Sequence, residues 1–311
     1  MMRPTRVLAL ALSLVACDDG ASDTDAGFDA GRTATDAGAR DAARADSGGV
    51  DAATDPDAGT PDAGPPPCPT GALCESFDDY TETAITDGQT FGPWRATVRD
   101  PGAAMDLDGT HTTSGAHALH VRIEQGVTAG GRLFARDAVP LIAAHPTHLY
   151  GRMQMYVDPG GTSVHWTFFG EQGPADSTSP AAGRPASYIM SALLSSGMNR
   201  FSFVDGLSGG ANYQDCWNRS SADIEVGRWM CVTFEMDSVA RHLVMGLDGT
   251  QIAQVDETGQ GCVSPTPGTS PWYGPEVDAI FVGAWSFHDM DAPLEVWIDD
   301  LVVDTSPVAC P

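Results

Sequence analysis

Four side chains in the middle of the chain are of types that do chemistry: Arg152, Gln154, Tyr156 and His165. The first three alternate along one candidate strand with Met153, Met155 and Val157, so one face is apolar and the other polar and aromatic. That is unusual chemistry for a merely solvated face. Guanidinium and carboxamide groups hold oxyanions, and phenol and imidazole groups give and take protons. On the next candidate strand, 163–170, His165 shares a face with Thr167 and Phe169, and Val164, Trp166 and Phe168 share the other. Trp229, Cys231, Thr233, Glu235 and Asp237 line up on a third strand. The expected picture is two stacked sheets, one offering a concave face with Arg152, Gln154, Tyr156 and His165 on it.

The elements that must position these groups are strands. Between Cys68 and Pro311 no stretch sustains a helical period, and the chain's 35 Gly and 22 Pro punctuate it throughout. Candidate strands are 117–124, 131–139, 148–158, 163–170, 186–194, 199–205, 228–237, 241–247, 251–256, 278–287 and 294–304. Asp248-Gly249 between Val244–Leu247 and Gln251–Val255 predicts a hairpin, because a tight turn needs positive φ. The predicted fold is all-β: an antiparallel two-sheet jelly roll over residues 68–311.

The segments ahead of it read differently. Arg3 and Arg6 precede an apolar run from Val7 to Val15, too short to span a bilayer, which reads as a secretory signal. Leu14-Val15-Ala16-Cys17 resembles a bacterial lipobox, which predicts removal of residues 1–16 and lipid on Cys17. Residues 17–67 are rich in Asp, Ala, Gly and Pro, with Asp-Ala-Gly beginning at Asp25, Asp29, Asp36, Asp57 and Asp62. Such a composition buries too little apolar surface to fold and predicts a disordered linker. As a random coil, about 50 residues would span roughly 40 Å. The membrane is therefore expected as a partner only through the lipid anchor.

The chain carries 42 Asp+Glu against 16 Lys+Arg, and every basic residue is Arg. Nucleic acid is excluded as a partner, because its affinity comes from many basic phosphate contacts. Beyond Cys17 there are six cysteines: Cys68, Cys74, Cys216, Cys231, Cys262 and Cys310. No Cys-x-x-Cys pair favours zinc, so three disulfides in an exported protein are expected, with Cys68–Cys74 the favoured local pair.

Several short motifs run in order along the body. They are Glu75-Ser76-Phe77-Asp78, Ser114-Gly115-Ala116-His117-Ala118-Leu119, Gly227-Arg228-Trp229 through Glu235, Gly246-Leu247-Asp248-Gly249 and Trp297-Ile298-Asp299-Asp300-Leu301-Val302-Val303. This series resembles the concanavalin-A-like jelly rolls, and within them the cellulose-induced protein family related to glucuronan lyases. The resemblance implies a structural calcium held by Glu75, Ser114 and Asp299 or Asp300, with hard oxygen ligands drawn from both chain ends. It also implies chemistry on uronic-acid polymers. In β-elimination the sugar carboxylate is neutralised, a base takes the C5 proton and an acid protonates the leaving oxygen. Arg152 and Gln154 suit the first task, and Tyr156 and His165 the others. Three functions follow as expectations: a monomeric surface lipoprotein that binds a polysaccharide, a polysaccharide lyase on the same scaffold, or an adhesive domain with no sugar site.

Other patterns lack the context their chemistry needs. Gly206-Leu207-Ser208-Gly209-Gly210 is followed by no amphipathic period, whereas a nucleophile elbow requires a helix there. Asp106-Leu107-Asp108-Gly109 opens like a calcium loop but places His117 where the closing Glu belongs. Trp272-Tyr273 and Trp285 are either sugar-stacking platforms or core.

Overall fold

A computed structural model of the protein describes residues 67–158, 165–195, 198–207, 215–255 and 273–311, and of 193–219 it describes the backbone strands alone. Cys17, the linker, Cys262 and Trp272 lie outside the described residues. The strands are β1 (Leu73–Glu75), β2 (Thr90–Phe91), β3 (Trp94–Val98), β4 (Ala103–Asp108), β5 (Ala118–Ile123) and β6 (Gly130–Ala135). A helical turn, α1 (Pro140–Ala143), leads to β7 (His148–Val157), β8 (His165–Pro174), β9 (Pro185–Ser195), β10 (Met198–Leu207) and β11 (Asp215–Asp223). The chain continues through β12 (Trp229–Asp237), β13 (His242–Leu247), β14 (Thr250–Val255), β15 (Ala279–Ser286) and β16 (Leu294–Asp304).

These strands form two antiparallel sheets in a jelly-roll sandwich. Sheet I runs β14-β13-β12-β7-β16-β5-β4, with β1 also on β16; sheet II runs β11-β10-β9-β8-β15-β6-β3-β2. The chain changes sheets repeatedly. β6 is in sheet II, β7 in sheet I and β8 back in sheet II. Met153, Met155 and Val157 of sheet I meet Trp166, Phe168 and Phe169 of sheet II in one core cluster. Fully burying side chains of that size stabilises by roughly 1.5–3 kcal/mol each. The Asp248-Gly249 turn has φ of 48° and 78°, as the hairpin reading requires.

The two ends of the domain meet in sheet I. Leu73 pairs with Val303 and Glu75 with Leu301. One disulfide joins Cys68 to Cys74, the pair favoured from sequence, and a second joins Cys231 on β12 to Cys310 beyond β16. Covalent pairs of this kind belong to an oxidising compartment outside the cytoplasm.

Candidate functional site

Arg152, Gln154 and Tyr156 lie together on the outer face of sheet I, because Met153, Met155 and Val157 between them enter the core. His165 does not join them, contrary to the sequence expectation. β8 belongs to sheet II, and Trp166 beside His165 is in the core, so His165 faces outward on the opposite side of the sandwich. A β-bulge between Thr167 and Phe169 also corrects the face assignment. Phe168 and Phe169 both turn into the core, leaving His165 and Thr167 outside.

On sheet II, His165 has companions that the sequence reading did not bring together. Arg132 on β6 alternates with Leu133 and so points outward. Its guanidinium carbon lies 4.2 Å from the centroid of the Phe281 ring, with Trp285 at 5.2 Å and Phe287 at 5.9 Å. Arg132 Nη2 also donates to Thr167 Oγ1. Phe281 is 2% exposed and faces Gly170, where a Cβ would come within 2.5 Å of the ring. Glycine at that position leaves space for the ring, and the ring then supports the guanidinium. The His165 ring centroid is 5.0 Å from that of Phe287 and 5.9 Å from that of His288. Burial, helped by the nearby His288, lowers the His165 pKa to about 4, so its ring is neutral at pH 7. One face thus combines a fixed cation, a neutral imidazole and half-buried Trp285 and Phe287. The available sequence signal was the alternation of Arg132 and Phe134 with Leu133 and Ala135.

The expected calcium ligands separate in the same way. Glu75 pairs directly with Leu301, and Leu301 faces the core, so Glu75 points inward. There it accepts hydrogen bonds from Trp94 Nε1 at 2.7 Å, Phe77 N at 2.8 Å and Tyr80 Oη at 3.0 Å. Burial raises its pKa, opposed by those donors. Ser114 and the Asp pair do meet, on the outer side. Asp299 Oδ2 accepts from Thr113 N at 2.8 Å, Thr113 Oγ1 at 2.9 Å and Ser114 N at 3.3 Å. Ser114 Oγ donates to Asp300 Oδ1 at 2.8 Å. Asp78 takes the next two amides of the same loop, Ala116 N and His117 N. These carboxylates hold a loop by accepting its donors, and among the described residues no group of three His, Cys, Asp or Glu side chains is placed to hold a metal ion.

Arg152 is 6% exposed, and its Nη1 has no hydrogen-bond partner among the described residues. Tyr156 is wedged among aromatic rings, 4.3 Å from His111, 5.6 Å from Trp297 and 5.7 Å from Trp229 by centroid. Gln154 lines a cleft beside Trp229.

The chain is therefore a jelly-roll domain with a cationic, aromatic face on sheet II. No family model matches the chain, and no curated protein does. Among solved structures it is similar to a cellulose-induced protein, Cip1, at 17% identity and a TM-score of 0.49, covering 77% of this chain and 100% of that one. It is also similar to an endo-β-1,4-glucuronan lyase from the fungus Trichoderma reesei, at 12% identity and a TM-score of 0.46, covering 73% and 96%. A structure of botulinum neurotoxin type C matches at 10% identity and a TM-score of 0.40, covering 73% of this chain and 48% of that one. At these values the strand order itself carries the fold, and function must be read from side chains.

Proposed function

We propose that the domain binds an acidic polysaccharide on the outer face of sheet II and does not cleave it. The observation that carries the reading is Arg132, fixed over Phe281 between Trp285, Phe287 and Thr167. Aromatic faces suit the apolar faces of sugar rings, and a guanidinium held in place suits a carboxylate. The body as a whole is acidic, so recognition of an anionic sugar depends on this local cation.

Binding is favoured over β-elimination for two reasons. A base works best with a pKa near the operating pH, and His165 lies far below it. The phenol expected to act with it, Tyr156, is on the other side of the sandwich. The test incubates the full chain with glucuronan and with alginate, following both retention in affinity electrophoresis and ultraviolet absorbance of an unsaturated product. Retention without absorbance is the expected result. Absorbance that disappears in His165→Ala would establish the lyase instead. Silence in both assays with intact folding would favour an adhesive domain.

Lipid on Cys17 and calcium at Asp299, Asp300 and Ser114 stay proposals beside this one. The first is supported by the sequence pattern of residues 1–17 and is checked by the mass of the N-terminal peptide. The second is supported by the neighbouring carboxylates of β16, and chelation that leaves the melting temperature unchanged would remove it.

A further inference from the structure

The outer face of sheet I carries a second row of side chains that the reading above does not use. Cross-strand register places Asp106, His120, Trp297, Tyr156 and Trp229 side by side across five strands. One end of the row is locked. Asp106 Oδ1 holds His120 Nδ1 at 2.8 Å, and His120 stacks on Trp297 at 4.3 Å with the planes 10° apart. Trp297 Nε1 donates to Asp108 Oδ2 at 2.9 Å, leaving Trp297 3% exposed. The other end is open. Trp229 is half-buried, meets Tyr156 edge-on and forms a wall of a cleft of about 450 Å³.

That cleft is also lined by Asp248, Gly249, Cys310, Pro311 and Gln154. Each group is held in place. Asp248 sits in the tight turn, accepts from Cys231 N at 2.9 Å and pairs with Arg228 at 2.7 Å. The Cys231–Cys310 disulfide ties Cys310, and with it the adjoining Pro311, to β12. The Gln154 amide has no hydrogen bond to any described residue, although Gln154 is only half exposed. An aromatic wall, an uncommitted carboxamide and a fixed carboxylate around a space at the small end of the ligand-pocket range are the parts of a small polar-ligand site.

We propose that this cleft binds a single neutral sugar ring, a hexopyranose unit of a glycan, stacked on Trp229. Gln154 supplies both donors and an acceptor to ring hydroxyls, and Asp248 supplies further acceptors. Arg228 is shared between Asp248 and Glu225, so this group stays net negative and disfavours an anionic sugar, which separates the cleft from the Arg132 face on the opposite side. The domain would then hold an acidic chain on one sheet and a neutral sugar on the other.

The experiment titrates the full chain with methyl β-glucoside, methyl β-galactoside and methyl α-mannoside, following saturation-transfer NMR and tryptophan fluorescence. At least one probe should saturate in the millimolar range. Its affinity should fall about tenfold in Trp229→Ala and in Gln154→Ala, and stay unchanged in Arg132→Ala. Trp229→Phe keeps a ring, should retain most of the binding, and serves if Trp229→Ala does not fold. The proposal is overturned if none of the three probes binds. It is equally overturned if binding survives both Gln154→Ala and Trp229→Ala, or is lost in Arg132→Ala alone. A wild-type chain that binds a neutral sugar but no acidic polymer would sink the sheet II reading and leave this one standing.

Discussion

The two disulfides should contribute very differently to stability, and the difference follows from where they sit in the chain. Cys231–Cys310 spans 79 positions, whereas Cys68–Cys74 spans 6. Restricting the unfolded chain by loops of those sizes stabilises the fold by about 4.5 kcal/mol and about 2.2 kcal/mol respectively. With a denaturant slope of about 3 kcal/mol per molar urea, the midpoint should drop by about 1.5 M in Cys231→Ser/Cys310→Ser and by about 0.7 M in Cys68→Ser/Cys74→Ser. Urea titrations of the two double variants, followed by tryptophan fluorescence, read both shifts directly. The first variant also frees Pro311 from the cleft wall, so neutral-sugar binding should weaken while acidic-polymer binding persists. If the short-loop variant fell as far as the long-loop one, the reasoning from loop closure would be refuted.

His165 should make stability depend on pH on the acid side. Its folded value lies below the ordinary 6.5, so the unfolded chain binds the proton more readily. The stabilisation is complete above about pH 6.5 and is lost as pH falls toward 4, by roughly 3 kcal/mol in full. Wild type compared with His165→Phe at pH 7 and pH 4 should show that slope, and parallel profiles would argue against a neutral, desolvated ring. Gly170→Ala should push Phe281 from beneath Arg132, destabilise by about 1–3 kcal/mol and weaken acidic-polymer binding, checked by calorimetry on the same preparation. Arg152→Met should be neutral or stabilising by about 1–4 kcal/mol, because it replaces a buried charge that has no ion-pair partner among the described residues. A clear loss of stability would mean that Arg152 is paired in solution.

Much of the fold was legible in alternation alone. Leu294–Asp304 runs over the residues expected of it, and the Asp248-Gly249 hairpin and the two faces of β7 are as read. Short edge strands were not legible, because two or three residues such as Thr90–Phe91 carry no period and depend on a partner. β4 was obscured by its resemblance to a calcium loop, and Asp215–Asp223 has no clean apolar alternation. For the candidate site, alternation placed Arg152, Gln154 and Tyr156 correctly on one face. It could not show that the chain crosses to the other sheet between Val157 and His165. Nor could it show the bulge at Thr167–Phe169, or that β6 and β15, which begin 149 positions apart, bring Arg132 to Phe281. Those are properties of pairing between distant strands, which a local pattern does not encode.

The most direct test of acidic-polysaccharide binding is calorimetric titration of the full chain with glucuronan oligosaccharides, comparing wild type with Arg132→Ala and Trp285→Ala. Loss of a charged hydrogen bond or a stacking ring should weaken binding by about tenfold or more in each variant, with the melting temperature retained. Unchanged affinity in both folded variants would contradict the assignment of the site to sheet II.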